Sequence, residues 1–300
     1  MSAATYKLNN QILMTIEERK SKYTDKQNRQ QHTSSLEPRA SNFCRAAAVL
    51  LTVAIIMIIS GTCELKAQSG TADSRTAEPV AASPLDKGII VDDFDQYEEG
   101  SIASDWHYVD KDKNLLTAEE ALEPGELFHV QEEEGTKFLR VQTKDESIRL
   151  TRVNDRHYDW NLNQYPKLRW RWRVQHFPEG ASEKDKNDVA AAIVVTFDKD
   201  WIGRPKSIKY TFSNNLKKGE TVGFGSLNVI VVSSGRTDEA GQWYTVERNL
   251  KEDYRKVFGG IFGGGTPPDR PLSITIWSDS DSTHDLSRAD IDFIEILPPN

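Results

Sequence analysis

The chain has 300 residues, of which 28% are charged and 9% aromatic, with a formal net charge of −8 and two cysteines. The acidic balance speaks against a nucleic-acid binder, which needs a basic footprint. Two cysteines leave no disulfide framework and no thiolate-based metal or nucleophile site in the body of the chain.

Residues 1–45 hold eight Lys/Arg against four acids and show no sustained apolar period, so they read as a flexible basic tail. Residues 46–60 (AAAVLLTVAIIMIIS) follow without a charge, and carried on to Cys63 the run is 18 residues long. As a helix that is about 27 Å, just enough to span a bilayer. The segment 46–62 is therefore expected to be a transmembrane anchor or the apolar core of a signal peptide. The length of the basic stretch before it favours an anchor with the tail kept in the cytoplasm. Ser60-Gly61-Thr62-Cys63 also resembles a lipoprotein cleavage site in which Cys63 would carry the lipid, although Ser60 stands where that pattern has an aliphatic residue. Residues 63–85 are small, polar and Pro-punctuated and read as a linker. The expected product is an exported protein, periplasmic or on the outer side of the cytoplasmic membrane.

The tail carries +4 and residues 46–85 carry −1, which leaves −11 for residues 86–300, a unit large enough for one substantial core. Strand patterns recur there at 88–94, 126–131, 137–143, 147–153, 168–174, 189–197, 207–212, 227–232, 243–248, 272–277 and 291–297. β-branched and aromatic residues fill them, and Gly, Pro, Asn and Asp punctuate the gaps. The clearest is Leu168-Arg169-Trp170-Arg171-Trp172-Arg173-Val174: apolar and cationic side chains alternate without a break, so one face belongs to a core and the other to carboxylates, solvent or an anionic ligand. One helix interrupts the strands. Asn249 is its N-cap, Leu250, Tyr254, Val257 and Phe258 line one face, and Gly259 marks its end. Many strands without βα alternation predict an all-β, antiparallel β-sandwich of jelly-roll type with one short helix.

Several pieces of this region carry a family resemblance. Ile90-Val91-Asp92-Asp93-Phe94 and Ala289-Asp290-Ile291-Asp292-Phe293-Ile294 look like the paired terminal strands of galactose-binding-like jelly rolls. More specifically, Leu168–Val174, Asn187-Asp188, Gly241-Gln242-Trp243, Glu247-Arg248-Asn249, Glu252-Asp253-Tyr254-Arg255, Phe258-Gly259 and Asp279-Ser280-Asp281-Ser282-Thr283 resemble, in order and spacing, a bacterial exported family catalogued as domain of unknown function 3047. This sequence departs from the family pattern at Asn187, where Asp is usual, and at Ser282, where Asn is usual. The resemblance implies a fold over residues 88–297 and no activity.

The segment from Asp279 to Asp290 places oxygen-bearing side chains at positions 1, 3, 5, 7, 9 and 12, the register of a calcium loop, with Asp279, Asp281 and Asp290 as candidate ligands. Against calcium, His284 occupies the glycine position and the flanks read as strands; the alternative is that these acids cap turns. Glu247 ends a strand beside the helix and is a candidate general base, or else a partner of the arginine row. Arg169, Arg171 and Arg173, with Trp160 and Trp201, are candidate ligand-binding residues: guanidiniums for an anion, and indoles in polar surroundings for a sugar ring. His107, His129, His157, His176 and His284 show no zinc spacing. The Gly259–Gly265 cluster is followed by Thr-Pro-Pro rather than Lys-Ser, so it is no phosphate loop.

These observations predict a non-catalytic module that binds a saccharide or another polar cell-envelope ligand, with no cofactor unless calcium. The competing readings are a glycan-acting enzyme that uses Glu247 and an acid from 279–292, and a structural envelope protein without a small ligand.

Overall fold

The computed structural model describes residues 87–110, 114–185, 187–259 and 265–299. The basic tail, the apolar run, both cysteines and the linker lie outside them. Among the described residues no helix is long and apolar enough to cross a membrane.

Two β-sheets face each other. Sheet A runs in the order β12 (Tyr244–Asn249), β7 (Lys167–His176), β14 (Leu286–Leu297), β5 (Thr136–Lys144), β4 (Leu127–Glu133), and β1 (Ile89–Asp92) pairs with the distal half of β14. Sheet B runs β10 (Thr221–Phe224), β11 (Leu227–Ser234), β9 (Pro205–Ser213), β8 (Val189–Lys199), β13 (Ser273–Asp279), β6 (Ser147–Val153), β2 (His107–Val109), β3 (Leu115–Thr117). The pairings are antiparallel except that of β9 with β11, which is parallel. This is the expected all-β sandwich, and the pairing of β1 with β14 joins the two ends of the domain.

The core is the space between the sheets, and β7 shows how it forms. Leu168, Trp170, Trp172 and Val174 are all fully buried. Trp170 meets Tyr210 of β9 at 5.5 Å between ring centroids, and Trp172 meets Phe212 at 5.7 Å. Burying an indole removes roughly 150–250 Å² from water, so these contacts are where the two sheets adhere most strongly. On β14 the inward residues change phase. Ala289 and Ile291 point in, and so do Ile294 and Ile296, because a bulge between Ile291 and Phe293 inserts one residue against β7. Without that bulge the last two isoleucines would face outward.

Two helices flank the strands. A capping box formed by Thr117 and Glu120 starts α1 (Ala118–Ala121). The Asn249 side chain accepts from the Lys251 and Glu252 amides at the start of α2 (Leu250–Phe258). Gly259 follows α2 in a right-handed conformation (φ −67°), so the helix end does not use the left-handed cap that the sequence suggested. The strands β2, β3 and β10 were not apparent in the sequence. They have three or four residues each, β10 and β3 at the two edges of sheet B and β2 next to β3, too short for a period of two to register.

Candidate functional site

The outer face of sheet A carries the arginine row, and here every guanidinium of β7 meets a carboxylate. Arg169 Nε donates to Glu295 Oε1 at 2.5 Å, and Arg171 Nη1 to Asp292 Oδ2 at 2.8 Å. Arg173 donates to Asp290 Oδ2 at 2.8 Å and to Glu133 Oε2 at 2.7 Å. The bulge in β14 is what turns Asp292 toward Arg171. Trp243 lies over the row, 5.0 Å from Arg171 and 4.5 Å from Arg173. The row is thus an ion-paired ladder, and its charges are matched within the sheet rather than held for a ligand.

Three further candidates are corrected by their surroundings. Asp290 is not a ligand of the loop that precedes it. It is fully buried in sheet A, where it accepts from Arg140 at 2.7 and 2.9 Å, from Arg173 and from Gln175 at 3.0 Å. Trp160 is no surface platform: it is fully buried, and its Nε1 donates to the Tyr165 carbonyl at 2.9 Å. Glu247 forms an ion pair with Lys167 at 3.2 Å and stands in register with Arg169, which stands in register with Glu295. The arginine strand therefore separates Glu247 from the acids of β14. Glu247 also lines a polar cleft of about 320 Å³ with Lys218, Arg248 and Lys256, and it is the only carboxylate among the described lining residues.

The outer face of sheet B is different. At one rim, β8 begins, β13 ends and β6 begins, and the register sets Asp279 beside both Val189 and Ser147. Asp188, Asp279 and Asp281 meet there, with one oxygen of each within 4.8 Å of the others. Asp188 and Asp279 are 1% and 5% exposed. The Thr283 amide donates to Asp188 Oδ2 at 2.7 Å, and Trp277 Nε1 donates to Asp279 Oδ2 at 3.1 Å. The other oxygen of each, Oδ1, is buried without a hydrogen-bond partner, and so is Thr283 Oγ1.

Lys209 stands next to this cluster with no exposed surface. It projects from β9 on the outer side, since Ile208, Tyr210 and Phe212 fill the core side. Its ammonium donates to the Asn187 carbonyl at 3.0 Å and to Asn187 Oδ1 at 3.1 Å, and it lies 3.8 Å from the centroid of the Trp277 ring. Arg149, opposite Trp277 in register on β6, approaches the same ring at 4.6 Å. Glu183, also buried, accepts from Ser213 Oγ at 2.7 Å through Oε2, while its Oε1 has no partner. Burial pushes the Asp279 carboxyl up to about 7, a shift that Lys209 opposes and Asp281 reinforces. Burial pushes the Lys209 ammonium down to about 8, against the pull of Asp279 and Glu183.

The family is now decided. A model of the family described as "Protein of unknown function (DUF3047)" matches residues 117–295. The chain belongs to that family. Two of the family's recurring pieces, Asn187-Asp188 and Asp279–Thr283, lie far apart in sequence and meet at this rim. No curated protein matches the chain. Solved structures similar to it include the family 11 carbohydrate-binding module of the cellulosomal cellulase Lic26A-Cel5E of Clostridium thermocellum (12% identity, TM-score 0.35, covering 71% of this chain and 95% of that one). They also include a family 30 carbohydrate-binding module (14%, TM-score 0.33, 60% and 78%) and an arabinose-bound α-L-arabinofuranosidase (12%, TM-score 0.34, 72% and 27%).

In this DUF3047 member the sequence pointed to Asp279 and Asp281 but missed Lys209, Glu183 and Arg149. Lys209 gave no signal, because polar side chains at every second position of a strand, here Ser207, Lys209 and Thr211, read as a solvated face. The objection to the acidic loop also weakens. His284 adopts the left-handed conformation (φ 59°) that a glycine would take at that position, and His is one of the residues that tolerate it.

The last candidate, Trp201, lies at the opposite end of β8, in the turn to β9, and is 93% exposed. The turn beneath it is tied by Asp200, whose Oδ1 accepts from the Ile202 amide at 3.1 Å and the Arg204 amide at 2.8 Å. Its Oδ2 accepts from Arg204 Nε at 2.6 Å. Gly203, with a left-handed φ of 85°, closes the turn. The β10–β11 turn adjoins it through the Ser207 amide, which donates to the Ser226 carbonyl at 2.8 Å, and Phe224 there is 43% exposed.

Proposed function

We propose that this domain is a non-catalytic module that binds a saccharide or another polar ligand on an aromatic platform at the Trp201 end of sheet B. The observation that carries the reading is Trp201 itself: an almost wholly exposed indole on a turn braced by five internal hydrogen bonds. An exposed Trp with nothing to pack on is unfavourable in water, and contiguous exposed apolar surface marks interaction sites. Ile202 and Phe224 extend the apolar surface on the same and the adjoining turn. Asp200 and Arg204 rim it with groups able to hydrogen-bond hydroxyls, so both the ring faces and the edges of a sugar would find partners. The enzyme reading has no comparable support: the described residues lining the cleft beside Glu247 include no second carboxylate, and Arg169 stands between Glu247 and Glu295.

The test is a glycan array probed with the full chain, repeated with Trp201→Ala. The wild type should retain at least one glycan, and the variant should lose that binding while its stability stays within about 0.5 kcal/mol, as for surface substitutions generally. An array without any retained glycan, or binding that survives the loss of the indole, overturns the proposal.

A further inference from the structure

We infer that Asp188, Asp279 and Asp281 form a divalent-cation site at the other rim of sheet B, and that calcium is the ion it fits. The inference does not depend on the saccharide reading. The eleven residues of β8 separate this rim from the Trp201 turn, about 35 Å of extended chain.

The first ground is unsatisfied chemistry. Folded proteins rarely leave buried carboxylate oxygens without a partner, and such a group calls for an explanation such as an ion. Here two such oxygens, Oδ1 of Asp188 and Oδ1 of Asp279, occur in side chains more than nine-tenths buried, within one cluster. Their Oδ2 atoms are held by the Thr283 amide and the Trp277 indole, which fixes both carboxylates and leaves the remaining oxygens to face an ion. Thr283 Oγ1, a neutral oxygen donor, is buried and unpartnered on the same loop.

The second ground is charge. Around Lys209 and Asp279 stand four carboxylates, Asp188, Asp279, Asp281 and Glu183, against two cationic side chains, Lys209 and Arg149. With all six groups ionised the acids exceed the cations by two, in a place where buried charge must be compensated. Lys209 does not fill the gap between the acids. It gives its hydrogen bonds to Asn187 and its charge to the Trp277 ring, and it makes no ion pair within 4.0 Å with any of the three aspartates.

The donor set selects the ion. Every donor is an oxygen, which suits a hard cation and not zinc or copper. Three carboxylates drawn from two loops suit calcium, which takes protein oxygens in a flexible geometry at about 2.3–2.6 Å, better than magnesium, which demands a near-ideal octahedron and usually keeps several waters. The ligands come from two loops that the chain brings together from positions 188 and 279–281, so the ion would pin the start of β8 to the end of β13.

Trp277 supplies a direct readout. Its indole Nε1 is 3.1 Å from Asp279 Oδ2, so a lanthanide at this site would be excited through the ring. The full chain, stripped with chelator, is titrated with terbium under indole excitation, then with calcium, and its melting temperature is followed with and without calcium. Sensitised emission that saturates at one equivalent, is displaced by calcium and accompanies a higher melting temperature is the expected result. Asp281→Asn is the variant of choice, because it is nearly isosteric and Asp281 is partly exposed, its side chain accepting from the neighbouring Ser282. It should weaken terbium and calcium at least about tenfold, the least that changes around a metal usually cost. Absence of sensitised emission together with an unchanged melting curve overturns the inference, and so does terbium affinity unchanged by Asp281→Asn.

Discussion

The two outer faces of the sandwich are both rich in charge, and they are built on opposite terms. On sheet A, Arg169, Arg171 and Arg173 each face a carboxylate of β14, and Asp290 accepts from three side chains across three strands. On sheet B, a buried lysine sits beside three aspartates, and two carboxylate oxygens have no partner. Asp92 shows what a satisfied buried carboxylate looks like in this molecule. It accepts from the Phe94 amide at 2.9 Å, from Trp106 Nε1 at 2.8 Å, and from Gln96 and Arg152 at 3.1 Å. A matched ladder holds a sheet together, whereas the unmatched cluster leaves the oxygens that the proposed ion would take.

The largest expected losses come from the parts that are matched. Trp172→Ala empties a core site between the sheets and should cost about 3–5 kcal/mol in chemical denaturation. Asp290→Ala leaves Arg140 and Arg173 uncompensated around a fully buried position and should cost a similar about 3–5 kcal/mol. A loss below about 1 kcal/mol for Asp290→Ala would mean that the ladder is decoration and would erase the contrast between the faces.

The unmatched face should reveal itself through pH. In chelator, Lys209 of the folded chain gives up its proton near pH 8, while in the unfolded chain it does so near 10.5. Between those values the unfolded state binds more protons, so stability should rise with pH, and the contribution is lost as pH falls through 8. Lys209→Met should flatten that window. A slope that persists in the variant would assign the linkage to another group.

The smallest effect belongs to the exposed pair in the middle of the ladder. Arg171 and Asp292 keep 38% and 12% of their side-chain surface in solvent, so Arg171→Ala should cost only about 0–1 kcal/mol, and less in high salt. A cost near that of Asp290→Ala would show that the ladder acts as one unit rather than as separate pairs.

The sequence by itself determined the class of fold and the core face of each long strand, because a period of two is local and needs no partner to be read. Leu168 to Val174 shows this. It also determined which acids to watch, Asp279 and Asp281, though it paired them with Asp290, at the far end of the same segment, by counting along the chain. The tertiary structure decided the partners. It sent Asp290 across sheet A to two arginines, brought Asp188 from ninety residues away, and buried Lys209 where the pattern predicted a solvated side chain. Trp160 and Trp201 stand in equally polar stretches of sequence, yet one is sealed under the β13 side of the core and the other stands in solvent on a two-strand turn. Burial depends on what the rest of the chain lays over a residue, and carboxylate chemistry depends on which strands the register makes adjacent. Neither is written in the spacing of residues along one strand.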